Sequence, residues 1–210
     1  MFIRALAIAT ALTVSTSAKA EDIKTAIFAG GCFWCVESDF ESVDGVIEAI
    51  SGYTGGSTAD PTYKQVSKGG TGHFEAVKIT YDADIVSYAR LLHLFFRSVD
   101  PTDAGGQFCD RGQVYSTAIF FMDDNERKLA QRAKASARSK LKENIATKLI
   151  AAGEFYEAEE YHQDYYKSSD RVLTRFGWVQ KQDAYKRYRK GCGRDKRVKQ
   201  LWGRDAPFAS

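Results

Sequence analysis

Apolar and polar positions change period several times along this chain, and each change marks an element. Residues 25–29 form a short apolar run that reads as a strand. Gly30-Gly31-Cys32-Phe33-Trp34-Cys35 follows it, and residues 36–40 continue as a helix. Residues 46–53 read as a second strand, closed by Gly55-Gly56. Asp60-Pro61-Thr62-Tyr63 reads as a turn into a short polar segment, and Gly69-Gly70-Thr71-Gly72 as a tight loop. Residues 73–81 alternate and form a third strand. Ser87 caps a helix carrying Leu91, Leu92, Phe95 and Val99, which Asp100-Pro101 ends. Residues 102–115 are an irregular loop rich in Gly and Asp, and loops of that length are often functional. A fourth strand over 117–121 precedes a long Ala- and Lys-rich helix that opens at Asp123 and Asp124 and reaches about Leu141. Residues 147–151 read as a short strand and 159–167 as a short aromatic-laden helix. The remainder is polar, with little strand character, and reads as a long irregular segment. Strands and helices alternate imperfectly, which points to an α/β (α+β) fold in two layers.

Composition sets the boundaries. The chain has 210 residues, 44% of them hydrophobic, enough for one well-cored domain. Only 3 prolines occur and no low-complexity linker divides the chain. Residues 1–20 stand apart: Arg4 gives a positive start, an apolar stretch too short to span a bilayer follows, and Ala18-Lys19-Ala20 is a small-x-small cleavage site before Glu21. That is the pattern of a secretory signal peptide, which leaves residues 21–210 as a single catalytic domain exported, in a bacterium, to the periplasm. The formal charge of +3 falls to +1 once Arg4 and Lys19 are removed. Such a balance gives no case for a nucleic-acid partner, and no later segment is apolar enough to span a membrane. The 4 cysteines of this exported chain, Cys32, Cys35, Cys109 and Cys192, are not needed as staples in a domain of this size, so redox chemistry is the better reading.

Cys32 is the leading candidate for that chemistry. It sits between a strand and a helix, where unpaired backbone N–H groups and the helix dipole favour a thiolate. The two preceding glycines allow a sharp turn. On the third strand, period-two geometry puts Glu75 on the face of Val77 and Ile79. Burial there would raise its pKa and keep a proton available for donation, although a strand-end glutamate can equally reach back to water. Taken alone, Tyr63, Tyr115 and Asp110 read as packing and turn residues, and His93 and His162 as packing residues.

Together these segments resemble a family. Gly31-Cys32-Phe33-Trp34, Gly52-Tyr53-Thr54-Gly55-Gly56, Pro61-Thr62-Tyr63, Thr71-Gly72-His73-Phe74-Glu75, Asp110-Arg111-Gly112-Gln113-Val114-Tyr115 and Tyr161-His162-Gln163 stand in the order seen in A-class peptide methionine sulfoxide reductases. The resemblance runs from about Lys24 to Gly203. It implies a two-layer α/β plait with a ferredoxin-like core, and neither metal nor organic cofactor. It implies Cys32 as nucleophile, Phe33 and Trp34 as the pocket for the S-methyl group, and Glu75 as the acid that protonates the sulfoxide oxygen. Tyr63 and Tyr115 would hydrogen-bond that oxygen, and Asp110 would order the site. The substrate would be the S epimer of methionine sulfoxide, free or in oxidised proteins, and the reductant a thioredoxin-like dithiol. A sulfenic acid on Cys32 would be resolved by a second thiol. Family members often use a C-terminal cysteine, and Gly191-Cys192-Gly193 has the freedom to swing, so Cys192 is expected to resolve, with Cys35 the runner-up. Cys109 has no assigned role. Ser116 departs from the arginine that usually follows the tyrosine, and Cys35 stands where many members have glycine.

Two other readings compete. Cys32-x-x-Cys35 has the spacing of a thiol–disulfide oxidoreductase, but no thioredoxin-like order of elements surrounds it. A zinc-held binding module would need two close cysteine pairs, and Cys109 and Cys192 stand alone in sequence.

Overall fold

A computed structural model describes residues 22–175 and 177–209, and the expected signal peptide lies outside them. Strand β1 (Ile23–Gly30) leads through Gly31 and Cys32 into helix α1 (Phe33–Glu41), then β2 (Val46–Thr54), α2 (Tyr63–Lys68), β3 (Phe74–Asp82) and α3 (Tyr88–Phe95). Two short strands, β4 (Gly106–Gln107) and β5 (Asp110–Arg111), interrupt the loop that follows. Then come β6 (Thr117–Phe121), α4 (Asp124–Leu141), β7 (Lys148–Ala151) and β8 (Phe155–Glu157). The chain finishes with β9 (Arg171–Thr174), β10 (Gly177–Gln180), α5 (Lys181–Gly191) and α6 (Arg194–Trp202).

Six strands form the central sheet in the order β7-β6-β1-β3-β2-β8. Neighbours are antiparallel except β6 and β7. The mixed two-layer α/β architecture expected from the sequence is what forms. Phe28, Val77, Ile79 and Ile119 on one face pack against Val36 and Phe40 of α1, Leu91, Leu92 and Phe95 of α3, and Ala130 and Ala137 of α4. A smaller cluster on the opposite face joins Ile27, Ala29, Phe74, Ala76, Ala118 and Phe120. Both faces of β1 from Ala26 onward, and of β3 over Phe74 to Val77, are therefore buried.

Three local expectations are corrected. Residues 63–68 form a helix because Gln65 Oε1 accepts the Thr62 N–H at 2.8 Å, half of a capping box. The helix expected over 159–167 reduces to one 3₁₀ turn, Glu160–His162. Gln163 instead spends its amide on Ser51 N, Ser51 O and Ala158 O, and Asp164 takes a left-handed φ of 54°. The C-terminal segment is not irregular: it holds the β9–β10 hairpin and two helices. Its apolar signal is faint because buried arginines do much of the anchoring. Arg189 binds Asp39, Asp195, the Tyr185 hydroxyl and the Phe208 carbonyl. Arg194, 2% exposed, donates to the carbonyls of Ser98 and Gly30 at 3.0 and 3.2 Å.

Candidate active site

Cys32 is the N-cap residue of α1. The preceding Gly31 has φ +80°, and a Cβ there would stand 2.5 Å from Gln107 Cβ, so both its conformation and its space exclude a larger residue. Cys32 and Cys35 are both free thiols, buried one helical turn apart and hydrogen-bonded to each other. Burial pushes the Cys32 thiol well above its ordinary value, and its neighbours Cys35, Glu75 and Asp110 push the same way. The helix-start position alone had implied the opposite. In the closed site desolvation outweighs the dipole, whose effect is worth at most about 2 kcal/mol. Cys35 moves down, because it receives the hydrogen bond from Cys32 and lies in the field of Arg194 and Arg189.

Glu75 reaches the same place from the neighbouring strand β3. It is 2% exposed and accepts the Phe33 N–H at 3.1 Å through Oε2. Burial raises its carboxyl to about 8, against the opposing pull of that hydrogen bond, and the charge of Asp110 adds to the rise. At neutral pH it is a buried acid that holds its proton. Tyr63 opens α2, fixed by its own N–H to Glu159 Oε1 at 2.9 Å, and burial raises its phenol to about 12. Tyr115 ends the 3₁₀ turn Gln113–Tyr115 and hydrogen-bonds Tyr63; burial raises its phenol as well. Both hydroxyls therefore stay protonated and able to donate.

These groups surround a cavity of about 70 Å³ lined by Cys32, Phe33, Trp34, Tyr63, Glu75, Asp110, Tyr115 and Tyr188. At about 30 Å³ per molecule in liquid water, that is room for roughly two waters, the scale of a small polar head group and not of a whole residue. A hollow of about 1020 Å³ beside Asp39, Lys196 and Lys199 is much larger but has no thiol among the described residues that line it. The residue set matches a known family. Residues 24–203 fit the family model described as peptide methionine sulfoxide reductase.

The chain belongs to that family. It is 46% identical to the peptide methionine sulfoxide reductase MsrA of Bacillus licheniformis over 187 residues, covering 88% of this chain and 97% of the relative. It is 48% identical to MsrA 2 of Rhizobium meliloti over 186 residues, covering 89% and 87%. Among solved structures, reduced Mxr1 from Saccharomyces cerevisiae matches with a TM-score of 0.67 and 28% identity, over 75% of this chain and 92% of that one. Methionine sulfoxide reductase A of Corynebacterium diphtheriae matches with a TM-score of 0.61 and 30% identity, over 68% and 73%. The chain is thus an oxidoreductase of the methionine sulfoxide reductase type.

The reductase brings together Cys32, Phe33, Trp34, Tyr63, Glu75, Asp110 and Tyr115, all seven of the residues singled out for the pocket. Trp34 is held by stacking on Tyr165 at 3.8 Å and 10°. Phe33 is nearly closed off, packed between Tyr53, Tyr63 and His162. His162 is buried behind these rings, and burial lowers it to about 4, so it is neutral packing.

Cys192 is placed differently from expectation. It is bonded to Cys109, and Gly191 and Gly193 flank the tight junction of α5 and α6 rather than a swinging arm. Tyr188 is the pocket residue that sequence reasoning missed. It arrives on α5, donates its hydroxyl to Asp110 Oδ2, and sets its ring edge-on to Trp34 at 6.4 Å. One tyrosine in a highly charged helix carries no signal of that role. Where the family usually has arginine, Ser116 is buried; the Arg194 cation, lying over the Phe108 ring at 4.9 Å, opposes the rise that burial gives Asp110 and adds to the Cys32 hydrogen bond in lowering Cys35.

Proposed function

We propose that this reductase converts the S epimer of methionine sulfoxide, in oxidised proteins or free, to methionine, with Cys32 as nucleophile and Cys35 as resolving thiol. The observation that carries this reading is the protonated Glu75 carboxyl in the same small cavity as the Cys32 sulfur and the Tyr63 and Tyr115 hydroxyls. A sulfoxide sulfur is a poor electrophile until its oxygen is protonated or strongly hydrogen-bonded. Glu75 supplies the proton, and the two phenols hold the oxygen as the S–O bond weakens. The Cys32 sulfur bonds to the substrate sulfur while its proton passes to Cys35 in its thiolate form, which the hydrogen bond from Cys32 and the two nearby arginines favour. That S–S bond breaks as the hydroxyl passes from the substrate sulfur to the Cys32 sulfur, so Cys32–SH and the sulfoxide become Cys32–SOH and methionine. The Cys35 thiol then attacks the sulfenic sulfur, water leaves, and a Cys32–Cys35 disulfide remains. A thioredoxin-like dithiol restores both thiols by exchange and leaves as its own disulfide.

The support for Cys35 over Cys192 is proximity: Cys35 hydrogen-bonds Cys32, whereas the Cys192 sulfur is engaged by Cys109. The enzyme is further proposed to be exported, cleaved before Glu21, and to repair oxidised proteins in the periplasm. The sequence features at residues 1–20 support this. Mass spectrometry of the protein from its host should find Glu21 at the N-terminus, and an intact Met1 on a cytosolic form would refute export.

Trp34 accommodates methyl, not oxygen, in the pose that aims oxygen at Glu75. A racemic sulfoxide incubated to completion should therefore leave about half unreacted, all of it the R epimer. Full consumption would contradict the pocket assignment.

A further inference from the structure

A second cavity, of about 470 Å³, adjoins the catalytic one, and Trp34 and Tyr188 line both. Its volume falls in the range of ligand sites, roughly 300–1,000 Å³. One side is the Cys109–Cys192 pair; the others are Thr174 and Arg175 of the β9–β10 hairpin, and Ala184 and Arg187 of α5. The wall shared with the catalytic pocket is rigid, because Trp34 is stacked on Tyr165, which lines the cavity too. Among the described residues, two arginines contribute to the lining and no carboxylate does. Arg187 is exposed and pairs with no carboxylate among the described residues.

Only the head of an oxidised methionine fits in 70 Å³. Its backbone and whatever is attached to it must leave the pocket. Each further residue of an extended chain advances about 3.3–3.6 Å, so the adjoining one or two residues reach the neighbouring cavity. We propose that this cavity is the subsite for the polypeptide flanking the oxidised methionine, and that Arg187 makes it select flanks carrying acidic side chains. The inference rests on the sulfoxide reductase reading above. The attraction acts at the mouth of an open cavity and is screened by salt, so it should appear in KM and fade as ionic strength rises.

The test uses two N-acetylated, C-amidated pentapeptides centred on methionine (S)-sulfoxide, one with Glu and one with Lys at both adjoining positions. Small-molecule dithiothreitol is the reductant, so no protein reductant occupies the surface. Blocked termini remove the α-carboxylate that free methionine sulfoxide would offer the same arginine. Dimethyl sulfoxide, which has no flanks, is the reference substrate. The intact protein should favour the Glu peptide in kcat/KM by about tenfold at low salt, chiefly through KM, and by less at 0.5 M salt, where the Debye length is only a few Å. In Arg187→Glu the ratio of the two peptides should fall to one or below. Because it is a ratio within one preparation, partial loss of folded enzyme does not move it. Equal rates for both peptides in the intact protein, or a ratio that Arg187→Glu leaves unchanged, would overturn the subsite. If the ratio is unchanged while Arg187→Glu raises KM for a thioredoxin, the cavity belongs to the reductant and the proposal is likewise overturned. Failure to reduce dimethyl sulfoxide and both peptides would instead sink the function on which it rests.

Discussion

The hydroxyl of Tyr188 donates to Oδ2 of Asp110, and so ties a C-terminal helix to the catalytic pocket. Burial raises Asp110, and this hydrogen bond holds it down. The negative charge it preserves is one of the influences that keep Glu75 protonated. Tyr188→Phe removes the bond, so Asp110 takes up a proton at higher pH and presents less negative charge to Glu75. The Glu75 carboxyl then ionises at lower pH. Tyr188 is thus expected to act as a positioning residue. The alkaline limb of kcat/KM should shift acidward in Tyr188→Phe, with binding of dimethyl sulfoxide little changed. A lower rate at an unshifted pH profile would mean that the hydroxyl serves packing alone.

Glu75 gives a paired prediction for rate and stability. The acid works only while protonated, so activity should hold below about 8 and fall above it. Glu75→Gln keeps an acceptor for the Phe33 N–H but has no proton to give. Methionine release in a single turnover should drop by roughly 10²–10⁴, while reduction of the Cys32–Cys35 bond by dithiothreitol stays near normal. The folded carboxyl sits at about 8 against 4.5 for the free group, so between those values the folded chain holds a proton that the unfolded chain has lost. Stability therefore declines as pH rises through that window. Glu75→Gln escapes that decline and should be more stable than the parent at pH 9 by an amount on the order of a few kcal/mol. Urea melts of both proteins at pH 5 and pH 9 would check it, since Glu37, raised to about 7 by burial, contributes equally to each.

The thiols separate cleanly by substitution. Cys32→Ser should yield no methionine. Cys35→Ser should release one methionine per enzyme and then stall with a thioredoxin-like reductant. Cys192→Ser should continue to turn over, at reduced thermal stability, because losing a native disulfide typically costs about 2–5 kcal/mol. Peptide mapping after one oxidation cycle should find Cys32 joined to Cys35. A Cys32–Cys192 bond, with Cys35→Ser turning over normally, would return the resolving role to the C-terminal cysteine.

Much of the core and the chemistry was legible in the sequence because it is local. The alternation around Glu75 placed a carboxyl on the buried side of a strand, and the glycines before Cys32 announced a strand-to-helix turn. The α4 helix was readable from its Asp123 cap, whose side chain accepts the Glu126 N–H. What could not be read depends on contacts distant in sequence. Gln163 breaks an expected helix by bonding Ser51, 112 positions away. Arg194 fixes α6 by reaching Gly30, 164 positions away. Tyr188 belongs to the pocket only because α5 folds back over Trp34. The family resemblance named seven of the eight residues that line the pocket but said nothing of this helix, and its usual C-terminal resolving cysteine pointed to Cys192, which the fold commits to Cys109.

Cys32 leaves the end of β1, and Glu75 lies near the start of β3, its antiparallel neighbour, where Phe28 faces Val77. The Cys32 thiol and the Glu75 carboxyl are thus spaced by the ladder between two strands. An insertion or deletion of one residue between Phe28 and Cys32, or between Glu75 and Val77, would turn a reactive group to the wrong side of the sheet. Lengthening the hairpin of β9 and β10 would leave that spacing untouched. Natural variants of this chain should accordingly tolerate changes of length in the β9–β10 hairpin, and none in the few residues that set the reaction distance.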